Sequence, residues 1–198
     1  MRPLRDDDQG VGAAKLAARA RARQARGALT PAQRARASTQ IAVHLDRLRT
    51  AEGAHRIGIY AAIGHEVDLD EIAAAWLAAG LVVAYPRVEG PHTLGFHRVA
   101  AVPDSPRGPF GIREPQPTEP RIEDLDMVVT PGLAFDVRGG RVGYGRGFYD
   151  RYLAADRGGA GRLVSVGVCF AAQLVASVPR GPHDVDLDAV VTEDGVYR

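Results

Sequence analysis

The chain has 198 residues, 45% of them apolar and 25% charged, with 25 basic side chains against 24 acidic ones. Those proportions match an ordinary globular protein of one domain and exclude wholesale disorder. A lone cysteine, Cys169, excludes an intrachain disulfide and a multi-cysteine zinc site. The N-terminus lacks the apolar core of a signal peptide, and no run reaches the roughly 18 apolar residues that a membrane helix needs, so the expectation is a soluble, cytoplasmic protein.

Residues 12–27 are rich in alanine and arginine and contain no proline, which predicts a helix ended by Gly27. Thr30-Pro31-Ala32-Gln33 then combines a cap, a first-turn proline and a reciprocal capping glutamine. A second helix is predicted over 31–49, burying Ile41, Leu45 and Leu48 on one face. A short strand is predicted over 56–60. Asp68 or Asp70 opens a helix that Gly80 stops, and residues 81–85 read as a buried strand broken by Pro86. Residues 94–97 read as a further strand, and 103–120, with six prolines, as an irregular surface loop. Strands follow at 127–129, 163–170 and 189–191, with a helix at 147–155. There is no internal repeat. Strands alternating with helices predict an α/β fold with a mostly parallel sheet covered by helices on both faces.

The overall charge of +1 conceals an asymmetry, because residues 1–50 hold eleven of the 25 basic side chains and four of the 24 acidic ones. A solvated helix face explains most of those arginines, and binding of nucleic acid or of a phosphorylated ligand is the alternative. Lys15 is the only lysine in the chain. A compact ammonium and a planar guanidinium are not interchangeable at a tight oxygen site. Lys15 is therefore a candidate for point-charge chemistry, set against an accident of composition. Arg19 lies one turn further on the same helix face and can share an anion with it.

Residues 131–152 carry the most chemistry. Gly143, Gly145 and Gly147 alternate with Tyr144 and Arg146 as a helix begins, with Asp150 in its first turn. Neither the phosphate-loop nor the dinucleotide signature is present: the first needs a lysine, the second a glycine where Phe148 stands. The physics is similar nonetheless. Glycines let backbone N–H groups approach an anion, and the following helix adds its unpaired N–H groups. Arg141 and Arg146 can add guanidinium forks to phosphate oxygens, and Asp150 can hold magnesium. A glycine-rich turn with Asp150 capping its helix is the alternative. Glu66 follows a strand, where ligand crevices form in parallel sheets, although a lone carboxylate is more often a surface residue. Tyr60 fits core packing or a ring against a ligand, and His183-Asp184 fits a turn or a metal-binding fragment.

Taken together, these residues resemble the 5-formyltetrahydrofolate cyclo-ligase family. The specific part is Pro131-Gly132-Leu133-Ala134-Phe135-Asp136, followed by Arg141-Val142-Gly143-Tyr144-Gly145-Arg146-Gly147-Phe148-Tyr149-Asp150-Arg151. In the family's order along the chain stand Lys15 and Arg19, Tyr60, Glu66-Val67-Asp68, Tyr85-Pro86-Arg87, Phe110 to Pro115, Gln173, Val178-Pro179, His183-Asp184 and Val191-Thr192-Glu193. Arg146 departs from the small residue usual there in bacterial members. The resemblance implies a three-layer α/β fold with an open, mostly parallel sheet, as one domain over residues 1–198 with residues 1–10 as a disordered tail. It implies conversion of 5-formyltetrahydrofolate to 5,10-methenyltetrahydrofolate with ATP and magnesium. Lys15, Arg141 and Arg146 are then the expected catalytic residues. Those three, with Arg19 and the loop from Gly143 through Tyr144, Gly145, Gly147, Phe148 and Tyr149, would hold the phosphates. Asp150 and Asp184 would hold magnesium, while Tyr60, Glu66 and Tyr144 would face the pterin. The expected partner is the small-molecule folate, without nucleic acid or membrane, for a monomer or weak homodimer. A non-catalytic folate- or nucleotide-binding regulator and a nucleic-acid-binding module are the competing classes. Retention of Lys15, Glu66 and Asp150 disfavours the first, and the balanced overall charge disfavours the second.

Overall fold

In the computed structural model, which describes residues 6–105, 111–156 and 163–198, two helices precede an eight-stranded sheet. Helix α1 spans Asp6–Ala28, so residues 6–10 of the expected tail are helical, and residues 1–5 lie outside the described residues. Gly27 does not stop this helix. The stop comes at Thr30, which the following proline holds extended at φ −66°, ψ 159°. Thr30 also carries the expected capping box of helix α2 (Pro31–Ala51): its hydroxyl accepts from the Gln33 N–H at 3.2 Å, and Gln33 Oε1 accepts from the Thr30 N–H at 2.8 Å.

The strands are β1 (Arg56–Gly58), β2 (Val82–Val88), β3 (Leu94–Arg98), β4 (Arg121–Ile122), β5 (Met127–Thr130), β6 (Ala134–Phe135), β7 (Arg141–Val142), β8 (Val164–Val168), β9 (Ala189–Thr192) and β10 (Gly195–Tyr197). Helix α3 (Asp70–Ala78) follows β1, and helix α4 (Phe148–Asp156) follows β7. The sheet order is β10-β9-β8-β5-β1-β2-β3-β4, with β9, β8, β5, β1 and β2 parallel and antiparallel strands at both edges. β6 and β7 form a separate antiparallel hairpin. An α/β fold with an open, mostly parallel sheet is therefore present.

Side chains alternate across the sheet with period two. Ile57, Val83, Met127, Val129, Val166 and Val191 face one way and pack against Ile41 and Leu45 of α2 and Ala73 and Trp76 of α3. On the other face, Ala84, Phe96 and Val128 meet Phe148, Tyr149 and Tyr152 of α4, and Val190 meets Phe135 of the hairpin and Leu153. Helices thus cover both faces. α1 packs on the hairpin instead, through Ala18 and Ala22 against Leu133, Ala134, Val142 and Val178. At Gly167 the sheet admits no side chain, because a Cβ there would stand 2.6 Å from the Phe135 ring.

Pro86 does not break its strand. In β2 the N–H of Val82 and the C=O of Ala84 face β1, so the missing N–H of Pro86 points to the same side, where β1 has already ended at Gly58. The next group on that side, the Val88 N–H, donates to Glu114 Oε1 at 3.2 Å. The expected strands at 56–60 and 163–170 are shorter, as Gly58 and Val168 end the pairing. Helix α3 opens at Asp70, whose N–H donates to Asp68 Oδ1 at 3.0 Å, and Gly80, at φ +81°, follows its end. The proline-rich segment is irregular over 111–120, while Phe110 of its motif lies outside the described residues.

Candidate functional site

A cavity of about 430 Å³ opens at the carboxyl ends of β1, β2 and β5, where Tyr60, Pro86 and Pro131 line it. This is the end of a parallel sheet at which ligands characteristically bind. Its walls include Lys15 and Arg19 of α1, Glu66 of the loop after β1, residues 141–150 and Asp184. Every site residue that the family resemblance implies lines this one cavity.

The charged wall is built from pairs. Lys15 Nζ donates to both oxygens of Asp184, at 2.6 and 2.5 Å, across 169 residues of sequence. Asp184 sits in a turn, accepting also from the Gly181 N–H at 2.7 Å, while His183 is exposed. Of the two readings of that dipeptide, the structure thus gives a turn that aims its carboxylate into the cavity. Arg141 Nη2 donates to Asp150 Oδ1 at 3.0 Å and Nη1 to the Pro131 carbonyl at 3.3 Å, with the guanidinium 5.6 Å from the Tyr149 ring centre. The Arg141 Nε is buried and has no partner among the described residues. Asp150 Oδ1 also accepts from the Val185 N–H at 3.4 Å, which brings the two carboxylate-bearing segments together. Arg19 Nε donates to the Gly143 carbonyl at 2.9 Å and lies over Gly145. Gly145 and Gly147 hold φ of +100° and +64°, a conformation that side-chain-bearing residues rarely adopt. Arg146 stands on the exposed outer turn of this loop.

The opposite wall is less polar. Tyr60 is buried, with its hydroxyl donating to the Val67 carbonyl at 3.0 Å, so it serves packing and cavity lining together. Glu66 is not a surface residue: it is 7% exposed, and its Oε2 accepts from the Ile63 N–H at 2.9 Å. Burial raises its pKa, opposed by the Tyr144 hydroxyl, the Ile63 N–H and Arg26. The Tyr144 hydroxyl donates to Glu66 Oε1, and burial with the adjacent carboxylate pushes this phenol up to about 12. Ile63, Val88, Leu94, Ile112 and Phe148 supply the apolar surface between these walls.

Three residues escaped the sequence reading. Arg26, counted there among the solvated arginines, is buried and reaches Tyr144 from α1. Its signal was position, since it lies two helical turns beyond Arg19 on the same face. The exposed Arg21 and Arg23 do form the solvated face. Glu114 is a buried, cavity-lining carboxylate whose only sequence cue was its place in a proline-bounded motif. Asp136 is wholly buried and accepts from the N–H groups of Arg138, Gly140 and Val178 and from both terminal nitrogens of Arg180. It fastens the β6–β7 turn that precedes the glycine loop. Among the described residues no group of three or more His, Cys, Asp or Glu side chains is arranged to hold a metal, and no helix is long and apolar enough to cross a membrane.

Residues 11–193 match the profile of the 5-formyltetrahydrofolate cyclo-ligase family. The 5-formyltetrahydrofolate cyclo-ligase of Saccharomyces cerevisiae is 38% identical over 114 residues, which span 53% of this chain and 53% of that protein. This chain therefore covers about half the length of that relative. The Escherichia coli K12 protein of the same name is 28% identical over 184 residues, 89% of this chain and 98% of its own length. The solution structure of the Aquifex aeolicus 5,10-methenyltetrahydrofolate synthetase superposes with a TM-score of 0.79 at 32% identity, covering 93% of this chain and 92% of that one.

Proposed function

Because this chain belongs to the 5-formyltetrahydrofolate cyclo-ligase family, we propose that it converts 5-formyltetrahydrofolate to 5,10-methenyltetrahydrofolate at the expense of ATP, as a cytoplasmic enzyme. The observation that carries this reading is the convergence of α1, the glycine loop, Asp184 and Glu66 on one cavity.

The reaction must overcome a poor leaving group, because a formamide oxygen does not depart unaided. The formyl oxygen therefore takes the γ-phosphoryl group of ATP, and ADP leaves with the electron pair of the broken P–O bond. The N10 amine of the folate next adds to the activated carbon of this imidoyl phosphate and gives up its proton. Inorganic phosphate leaves with the C–O electron pair, and the five-membered ring is closed. Such a transfer depends chiefly on positioning and charge neutralisation.

The residues present fit these needs. Lys15, Arg19, Arg141 and Arg146 supply the cations, and the positive-φ glycines let loop N–H groups approach phosphate oxygens. The buried, unpaired Arg141 Nε is a donor that an anion in the cavity would satisfy. Asp150 and Asp184 offer the hard oxygen ligands that magnesium takes alongside substrate phosphates, and the ion when bound would neutralise phosphate charge. Lys15 rests on Asp184 and Arg141 on Asp150, so phosphates would relieve the cations of partners that the metal would then hold. On the other wall, Glu66 would accept from the N–H groups of the pterin, with Tyr60 and Tyr144 beside it.

The test is incubation with 5-formyltetrahydrofolate and magnesium ATP, following the absorbance of methenyltetrahydrofolate and release of ADP. Turnover that requires both nucleotide and magnesium supports the proposal. Turnover without nucleotide, or none with it, overturns it.

A further inference from the structure

Arg26 projects from the end of α1 into the seam between the two walls. It is a buried cation, and burying an unpaired guanidinium is costly, so its partners identify what it does. Nη1 donates to the Tyr144 hydroxyl at 3.2 Å and lies 3.9 Å from Glu66 Oε1. Tyr144 in turn donates to that same Glu66 oxygen, so side chains from two other segments meet at this carboxylate. The side chains of Arg26 and Glu66 are 11% and 3% exposed, so solvent screens their attraction little.

We propose that Arg26 is a positioning residue: its charge favours the ionised form of the Glu66 carboxylate, and its guanidinium docks Tyr144 of the glycine loop against it. The proposal rests on the reading of Glu66 as the acceptor for a heterocycle with N–H donors. An ionised carboxylate accepts at both oxygens, whereas a protonated one spends part of that capacity as a donor. Among the described residues, the titratable and charged groups facing Glu66 are Arg26 from α1, Tyr144 from the glycine loop, Tyr60 from the end of β1 and Tyr149 from α4. Arg26 is the one cation among them. Without it, burial acts on Glu66 opposed only by neutral donors, and the carboxyl takes up its proton at higher pH.

The experiment compares kcat and KM for 5-formyltetrahydrofolate at saturating magnesium ATP, from pH 6 to 9, in wild type, Arg26→Gln, Arg26→Lys and Glu66→Gln. Arg26→Gln is expected to raise KM at the acid end and to approach wild type at the alkaline end. The displacement should be about tenfold in KM for each unit by which the carboxyl titration moves. Arg26→Lys should restore most of the wild-type profile, and Arg26→Gln should add no pH dependence in a Glu66→Gln background. A merely structural arginine would lower the melting temperature and activity evenly across pH, and that outcome overturns the proposal. If Arg26→Gln does not fold, carboxyl titration of Glu66 by NMR in wild type and Arg26→Lys decides: the lysine should hold Glu66 near its wild-type titration, and an unrelated shift overturns the proposal. Absence of wild-type turnover, by contrast, would reject the substrate assignment and not the ion pair.

Discussion

Lys15 shows what a single side chain contributes here. Composition singled it out, and its side chain is 18% exposed and clasped to Asp184. Lys15→Ala is expected to impair ATP use by on the order of 10- to 100-fold, the worth of one charged hydrogen bond to phosphate. Lys15→Arg should rescue this incompletely, since the wider fork does not fit the place of a point charge. Kinetic constants for ATP beside melting temperatures check both, and wild-type ATP kinetics in both variants would return the lysine to coincidence. Asp136 gives a stability counterpart. Although burial alone would raise its pKa, its hydrogen bonds from Arg180 and from three backbone N–H groups lower it from 3.8 to about 2. The folded value lies below the unfolded one, so this contribution is complete above about pH 4 and is lost as the pH falls toward 2. Asp136→Asn should cost about 1.5–3 kcal/mol near neutrality and flatten the acid limb of a denaturation midpoint-against-pH curve.

Among the elements, local chemistry and tertiary context divide the credit for the fold. The α2 cap was written in four consecutive residues, Thr30 to Gln33, and forms as written. Thr30→Ala should therefore cost about 1 kcal/mol in urea unfolding, with the sheet and cavity unaltered. The path of β2 through Pro86 was not legible, because it depends on β1 having ended beside it and on Glu114 receiving the next N–H. The two-residue strands β6 and β7 were missed for a related reason: nothing within Ala134–Phe135 or Arg141–Val142 has a strand period long enough to read. The glycine loop between this hairpin and α4 was legible as a composition but not as geometry. Its arginines and glycines raise the expectation of an anion site, and only the folded chain shows that Arg19 lies over Gly145 and that Tyr144 reaches Glu66.

For the molecule as a whole, α1 is attached through small side chains, with Ala18 and Ala22 forming much of its apolar seam. Short side chains bury little area, so polar contacts into the cavity hold a large share of this helix in place. A ligand that engages Lys15 and Arg19 should therefore tighten it more than the sheet. Saturating magnesium ATP is expected to slow hydrogen exchange selectively at α1 amides and to raise the melting temperature, by about 2.7 kcal/mol of added stability at a hundredfold excess over Kd. Equal slowing across β5 and β8 would show that the helix was already as secure as the sheet. The same attachment has a consequence for biosynthesis. Lys15 meets a partner 169 residues later in the chain, and Arg19 one 124 residues later. During synthesis α1 must wait for Asp184 before its ammonium is neutralised, so nascent chains that end after the glycine loop should fail to retain nucleotide. The cavity is in this sense a late product of synthesis, because segments that build it lie 169 residues apart in the chain.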